Sequence, residues 1–151
     1  MLGAVTVRQF LVMTSLGVAS LTTAFAADMV SIKGSIVNMR SGPSTRTEAL
    51  WELNKGYPLK VLKRKGSWLQ VQDFENDRGW VSRKLTSKTA YHVVKSNTAN
   101  IRSGPSTKYP IISKAERGDV LRTRGKKSGW IKVQPSSGKS GWVSGKLVWG
   151  W

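Results

Sequence analysis

The sequence predicts an all-β chain built from two tandem copies of one small β-barrel or sandwich. Sliding the chain against itself by 62 residues gives a gapless match of Met29–Leu85 onto Tyr91–Leu147, with about 20 of 57 positions identical. Within each copy, apolar and polar residues alternate over short runs, with Gly-rich turns roughly every 8–12 residues. No segment carries the pattern of a long amphipathic helix.

Residues 1–26 read as a Sec-type signal peptide. Arg8 is their single charge, an apolar stretch runs from Phe10 to Phe25, and Ala24-Phe25-Ala26 supplies the small-x-small pattern before a cut. An uncleaved anchor is the alternative, because the stretch is nearly long enough to span a bilayer. Ser15, Ser20, Thr22 and Thr23 dilute it, and a small-residue site ends it, so the expected product starts at Ala27, is periplasmic or secreted, and keeps no stable membrane span.

The first unit is expected over 27–86, a short linker over 87–90, and the second unit over 91–151. With only Thr86-Ser87-Lys88-Thr89-Ala90 between the repeats, the tandem should be semi-rigid. In the first unit, Val37 and Met39 alternate with polar residues until a Gly-Pro turn; Leu59 and Val61, then Leu69 and Val71, mark later strands. Thr47–Leu53 alone could form a helical turn. Its counterpart Tyr109–Ala115 contains Pro110 and two adjacent isoleucines, which argue against a helix in either copy.

The formal charge is +17. Ala27–Leu85 carries about +5 (eleven basic against six acidic side chains) and Thr86–Trp151 about +11 (thirteen against two). Arg122, Arg124, Lys126, Lys127, Lys132 and Lys139 concentrate around the middle and distal hairpins of the second copy. They mark a candidate polyanion surface, the other reading being a well-solvated basic face.

Asn38-Met39-Arg40-Ser41-Gly42-Pro43-Ser44-Thr45 returns as Asn100-Ile101-Arg102-Ser103-Gly104-Pro105-Ser106-Thr107. The Gly-Pro pair turns the chain out of the sheet, with proline fixing φ and glycine free to take conformations closed to other residues. Asn38 and Arg40, like Asn100 and Arg102, share one strand face; each Arg either braces its own loop or meets a ligand carboxylate. Ser41, Ser44, Ser103, Ser106 and Tyr109 complete the candidate ligand loops.

Trp68 and Trp80 return as Trp130 and Trp142; in a unit this small an indole either joins or lids the core or, half-exposed, lines a groove for sugar or peptide, and core support is the expected role of Trp80 and Trp142. Val148-Trp149-Gly150-Trp151 either closes the second barrel or forms an exposed tip.

Asp73-Phe74-Glu75-Asn76-Asp77 resembles a cation loop, but its counterpart Pro135-Ser136-Ser137-Gly138-Lys139 has no carboxylate, so a solvated hairpin tip is expected and no metal. His92, the single histidine, aligns with Val30 and is read as structural. With no cysteine and one histidine, there is neither a Cys–His pair nor a multi-ligand zinc site.

The order N-x-R-S-G-P-S-T, Gly, W-x-x-V and G-W-V-S-x-x-L, present twice, resembles the bacterial SH3-like domain family, often called SH3b. The resemblance implies a five- or six-stranded SH3-like barrel in each unit and a role in envelope or cell-wall targeting, with no cofactor. Some family members are attached to cysteine amidases or endopeptidases; that activity does not carry over to a chain without cysteine. Proline-rich peptide binding is not implied, because Tyr57 and Tyr109 face Asp119 and Thr47 at the matching positions. The expected function is therefore noncatalytic binding of a cell-envelope polymer or peptide, foremost peptidoglycan stem peptides. Charge-driven binding of lipopolysaccharide or nucleic acid is one alternative, and holding another envelope protein is the other.

Overall fold

The computed structural model describes residues 26–151, so the predicted signal peptide, apart from Ala26, lies outside the described residues. Among the described residues, no helix is long and apolar enough to cross a membrane.

The first unit contains β1 (Met29–Ile32), β2 (Ile36–Arg40), β3 (Ala49–Asn54), β4 (Pro58–Lys65), β5 (Trp68–Gln72), β6 (Arg78–Ser82), a 3-10 turn (Arg83–Leu85) and β7 (Thr86–Ser87). The second repeats this with β8 (Tyr91–Val94), β9 (Thr98–Arg102), β10 (Ile111–Glu116), β11 (Val120–Lys127), β12 (Trp130–Gln134), β13 (Gly141–Ser144), a 3-10 turn (Gly145–Leu147) and β14 (Val148–Gly150). The antiparallel sheets have the same order, β3-β2-β6-β5-β4-β1-β7 and β10-β9-β13-β12-β11-β8-β14. Each thus has seven strands rather than five or six. The added segment follows the 3-10 turn and is too short for an alternation pattern to reveal.

Period-two alternation explains the cores. Val37 and Met39, Leu69 and Val71, and Val81 point inward to meet Val30, Ile32, Leu53 and Leu59 from the other strands, so the sheet wraps around one cluster. Burying such a side chain contributes about 1.5–3 kcal/mol. In the second core, Ala99 and Ala115 stand where the first has Val37 and Leu53, and Val148 from β14 joins the cluster. The inward position beside each Trp80-type indole must be glycine: a Cβ on Gly79 would lie 2.5 Å from Met39 Cγ, and one on Gly141 2.5 Å from Ile101 Cγ2.

The same alternation removes the indoles from the core. Trp68, Trp80, Trp130 and Trp142 are half-buried on the outer faces of their strands, opposite the inward Leu69, Val81, Ile131 and Val143. Aliphatic residues fill the barrels, and Trp80 and Trp142, expected to support the core, lie half-buried outside these clusters.

Gly42 and Gly104 differ from expectation too. Neither takes positive φ. They are needed for close approach, since a Cβ would lie 2.8 Å from Thr47 Cγ2 in one copy and 2.5 Å from the Tyr109 ring in the other.

Asp73 is buried rather than solvated, and its Oδ1 accepts the N–H groups of Glu75 (2.9 Å) and Asp77 (3.0 Å), closing the hairpin. Burial pushes its carboxyl up, against these two hydrogen bonds. His92 is buried on β8 with Nδ1 2.6 Å from Thr123 Oγ1. The terminal strand places the tail: Val148, Trp149 and Gly150 pair with Val94, Val93 and His92, so β14 is the edge strand of the second sheet beside β8.

The units also touch. Ser31 Oγ donates to Thr89 O (2.8 Å), tying the linker to the first barrel. The Tyr91 ring covers Gly56, and Arg117 of the second unit pairs with Glu75 (3.1 Å) while its guanidinium lies 5.1 Å from the Phe74 ring centroid.

Candidate functional site

In the first unit, the outer ends of β2, β5 and β6 enclose a groove of about 650 Å³. Trp68 supplies an apolar wall, Ser67 and Ser82 hydroxyls, and Arg40, Arg83 and Lys84 positive charge. A second groove of about 600 Å³ lies at the equivalent place in the other unit, where Thr107, Gly129, Trp130, Ser144 and Lys146 occupy the positions of Thr45, Ser67, Trp68, Ser82 and Lys84. Neither lining contains a carboxylate. An indole beside hydroxyls and uncompensated cations offers stacking, hydrogen bonding and attraction for an acidic group.

Local folding explains why these residues meet. The β4–β5 hairpin turns at Gly66 (φ +56), which places Ser67 and Trp68 at its tip; the 3-10 turn after β6 then brings Arg83 and Lys84 alongside, with Arg83 N–H donating to Ser67 O at 2.8 Å. The second copy turns at the same place with two positive-φ residues, Ser128 (φ +50) and Gly129 (φ +82), and Gly145 N–H donates to Gly129 O at 2.9 Å.

Asn38 lines the first groove, and Arg40 does so while bracing its loop through Nη1 to Thr45 O (3.1 Å) and Thr47 O (2.8 Å). Arg102 repeats the brace on Thr107 O (3.1 Å) and Tyr109 O (2.9 Å), but neither it nor Asn100 lines the second groove. The serines serve the loop itself. Ser41 and Ser103 donate backbone N–H groups to Glu48 O and Pro110 O, while Ser44 Oγ and Ser106 Oγ accept from Arg46 and Lys108 N–H. Tyr109 packs its ring on Gly104 and remains 47% exposed.

Trp68, Arg83 and Lys84, with Trp130 and Lys146, are groove residues absent from the sequence-derived site. The signal was present: Trp68/Trp130, Ser82/Ser144 and Lys84/Lys146 all survive the repeat offset. Charge in the grooves runs opposite to charge overall, because Arg83 becomes Gly145 in the more basic unit. Of the six basic residues there, Arg122 and Arg124 line a cavity facing the first unit, and Lys132 Nζ lies 6.0 Å from the Trp142 ring centroid. Lys126 and Lys127 end β11, and Lys139 lies in the β12–β13 loop.

The chain is 33% identical over 123 residues to the N-acetylmuramoyl-L-alanine amidase candidate YrvJ of Bacillus subtilis, a match covering 74% of this chain and 24% of YrvJ. It is 37% identical over 60 residues to the cell wall amidase candidate LytH of Staphylococcus aureus, covering 39% of this chain and 21% of LytH. The chain thus spans about a quarter of the length of the curated relatives it matches. Among solved structures, the endolysin LysPBC5 CBD aligns with 82% of this chain and 93% of its own at 16% identity and a TM-score of 0.34. Residues 33–88 and 97–148 each match a family model described as the bacterial SH3 domain, and the chain belongs to that family, carrying two of its domains in tandem.

Proposed function

We propose that this chain is a noncatalytic tandem module, acting in the periplasm or outside the cell, that binds peptidoglycan stem peptides through its two grooves. The observation that carries this reading is the recurrence, 62 residues apart, of an indole-walled groove with a cationic rim and no carboxylate. Stem peptides carry free carboxylates for such a rim and aliphatic side chains for the indole. Wall-amidase candidates that share the repeated β-domain support the same ligand class. Two linked grooves on one polymer bind with an effective concentration set by the short linker, so modest single-site affinity suffices.

Retention of the chain on purified sacculi tests the proposal. The unmodified chain should be retained and released by soluble stem peptide; a chain that passes through at low salt removes this reading.

A further inference from the structure

We infer that the cleft between the two units is a phosphate-binding site, separate from the grooves, for a phosphorylated saccharide. A cavity of about 300 Å³ there is lined by Lys55 from the first unit and by Tyr91, Arg122, Arg124 and Gln134 from the second. An adjoining cavity of about 400 Å³ shares Lys55 and Ser136 with it and adds Asn54.

Three cations therefore converge from two domains. Among the described residues, none of them forms an ion pair. Asp119 is the one carboxylate lining either cavity, and its Oδ2 accepts the Glu116 N–H at 2.8 Å. Arg124 is held in place by a neutral partner: its Nε and Nη2 donate to Gln134 Oε1 at 3.0 and 2.7 Å, which orients the guanidinium without cancelling its charge. Two planar guanidinium groups and an ammonium suit a phosphate, whose oxygens accept several charge-assisted hydrogen bonds at once. The half-buried Tyr91 ring offers the adjoining aromatic face on which a sugar can lie.

Duplication alone does not create this arrangement. The first-unit counterparts of Tyr91, Arg122, Arg124 and Ser136 are Met29, Lys60, Leu62 and Phe74. Phe74 packs near Tyr57 and under Arg117, whereas Ser136 leaves its equivalent place open. The site exists because the two copies differ at these positions and the short linker sets the second copy against Lys55.

Calorimetric titration of the full mature chain tests this with glucose 1-phosphate, glucose, inorganic phosphate, and phosphatidylcholine vesicles with and without phosphatidylglycerol. Glucose 1-phosphate should bind saturably and more tightly than inorganic phosphate, and glucose should not bind. Arg122→Gln/Arg124→Gln should weaken binding roughly tenfold or more at unchanged melting temperature, while Trp68→Ala/Trp130→Ala should leave it intact, so failure here is distinguishable from failure of the groove reading. Vesicle binding that depends on phosphatidylglycerol and is lost in the same arginine variant would extend the site to lipid-borne phosphate. Absence of saturable binding of soluble phosphate, binding to vesicles alone, or equal weakening by Lys114→Gln/Lys139→Gln would overturn the inference.

Discussion

The ring of Tyr91 occupies the space that a side chain on Gly56 would need: a Cβ there would lie 2.7 Å from Tyr91 Cε1. This joins a turn of the first unit to the opening strand of the second. The equivalent Gly118 has the same left-handed backbone, φ +88 against +83, but nothing within 4 Å.

Gly118→Ala should therefore cost only the backbone term, about 1–2 kcal/mol. Gly56→Ala should cost more, because the Tyr91 ring must also move, and it should alter the relative orientation of the units. Chemical denaturation and residual dipolar couplings check the pair; equal costs with unchanged orientation would remove the contact from the account.

Burial of His92 should make the second unit acid-sensitive. Burial, with Lys126 nearby, lowers its pKa to about 4 from an ordinary 6.5. The unfolded chain takes up a proton near pH 6.5 and the folded chain does not, so this contribution is complete above pH 6.5 and is lost as pH falls towards 4. The loss is on the order of 3 kcal/mol. His92→Val/Thr123→Val, which restores the Val30/Val61 pair of the first unit, should flatten stability between pH 7 and 4.5 in urea titrations.

Two arginines of one groove should separate by assay. Arg40 holds Thr45 O and Thr47 O, so Arg40→Gln should destabilise the first unit by about 1–3 kcal/mol. The Arg83 guanidinium makes no hydrogen bond or ion pair among the described residues. Arg83→Gln should leave the melting temperature within a degree or so and weaken retention on sacculi.

If both grooves bind, Trp68→Ala and Trp130→Ala should each remove the avidity gain and reduce sacculus affinity by about tenfold or more, and the double variant should lose the single-site binding that remains. Sedimentation of sacculi with increasing protein measures this. A single variant that already abolishes binding would assign the function to one groove.

The barrel was legible because its determinants are local and written twice. Alternation around Val37–Met39 and Leu69–Val71, and the recurring Gly-Trp-Val-Ser, identify strands from short windows. The grooves were legible only in part. Asn38 and Arg40 drew attention as polar neighbours on one strand, but Trp68, Arg83 and Lys84 reach the same groove from a hairpin tip and a 3-10 turn far along the chain. Distance across a curled sheet has no sequence period. The outward position of Trp80 escaped because a large indole is expected inside; the pleat, anchored by Gly79 against Met39, places it outside.

The duplication, the all-β class and the excess charge of the second copy can be read from the chain without its fold, since they follow from offset identity, two-residue periodicity and composition. Tertiary structure alone decided where that charge acts. The cationic rim is richer in the less basic unit, because Arg83 lines its groove where the second has Gly145, while Arg122 and Arg124 face Lys55 across the junction. Electrostatic attraction depends on which charges converge in space, and that follows from how a sheet curls and how two barrels meet.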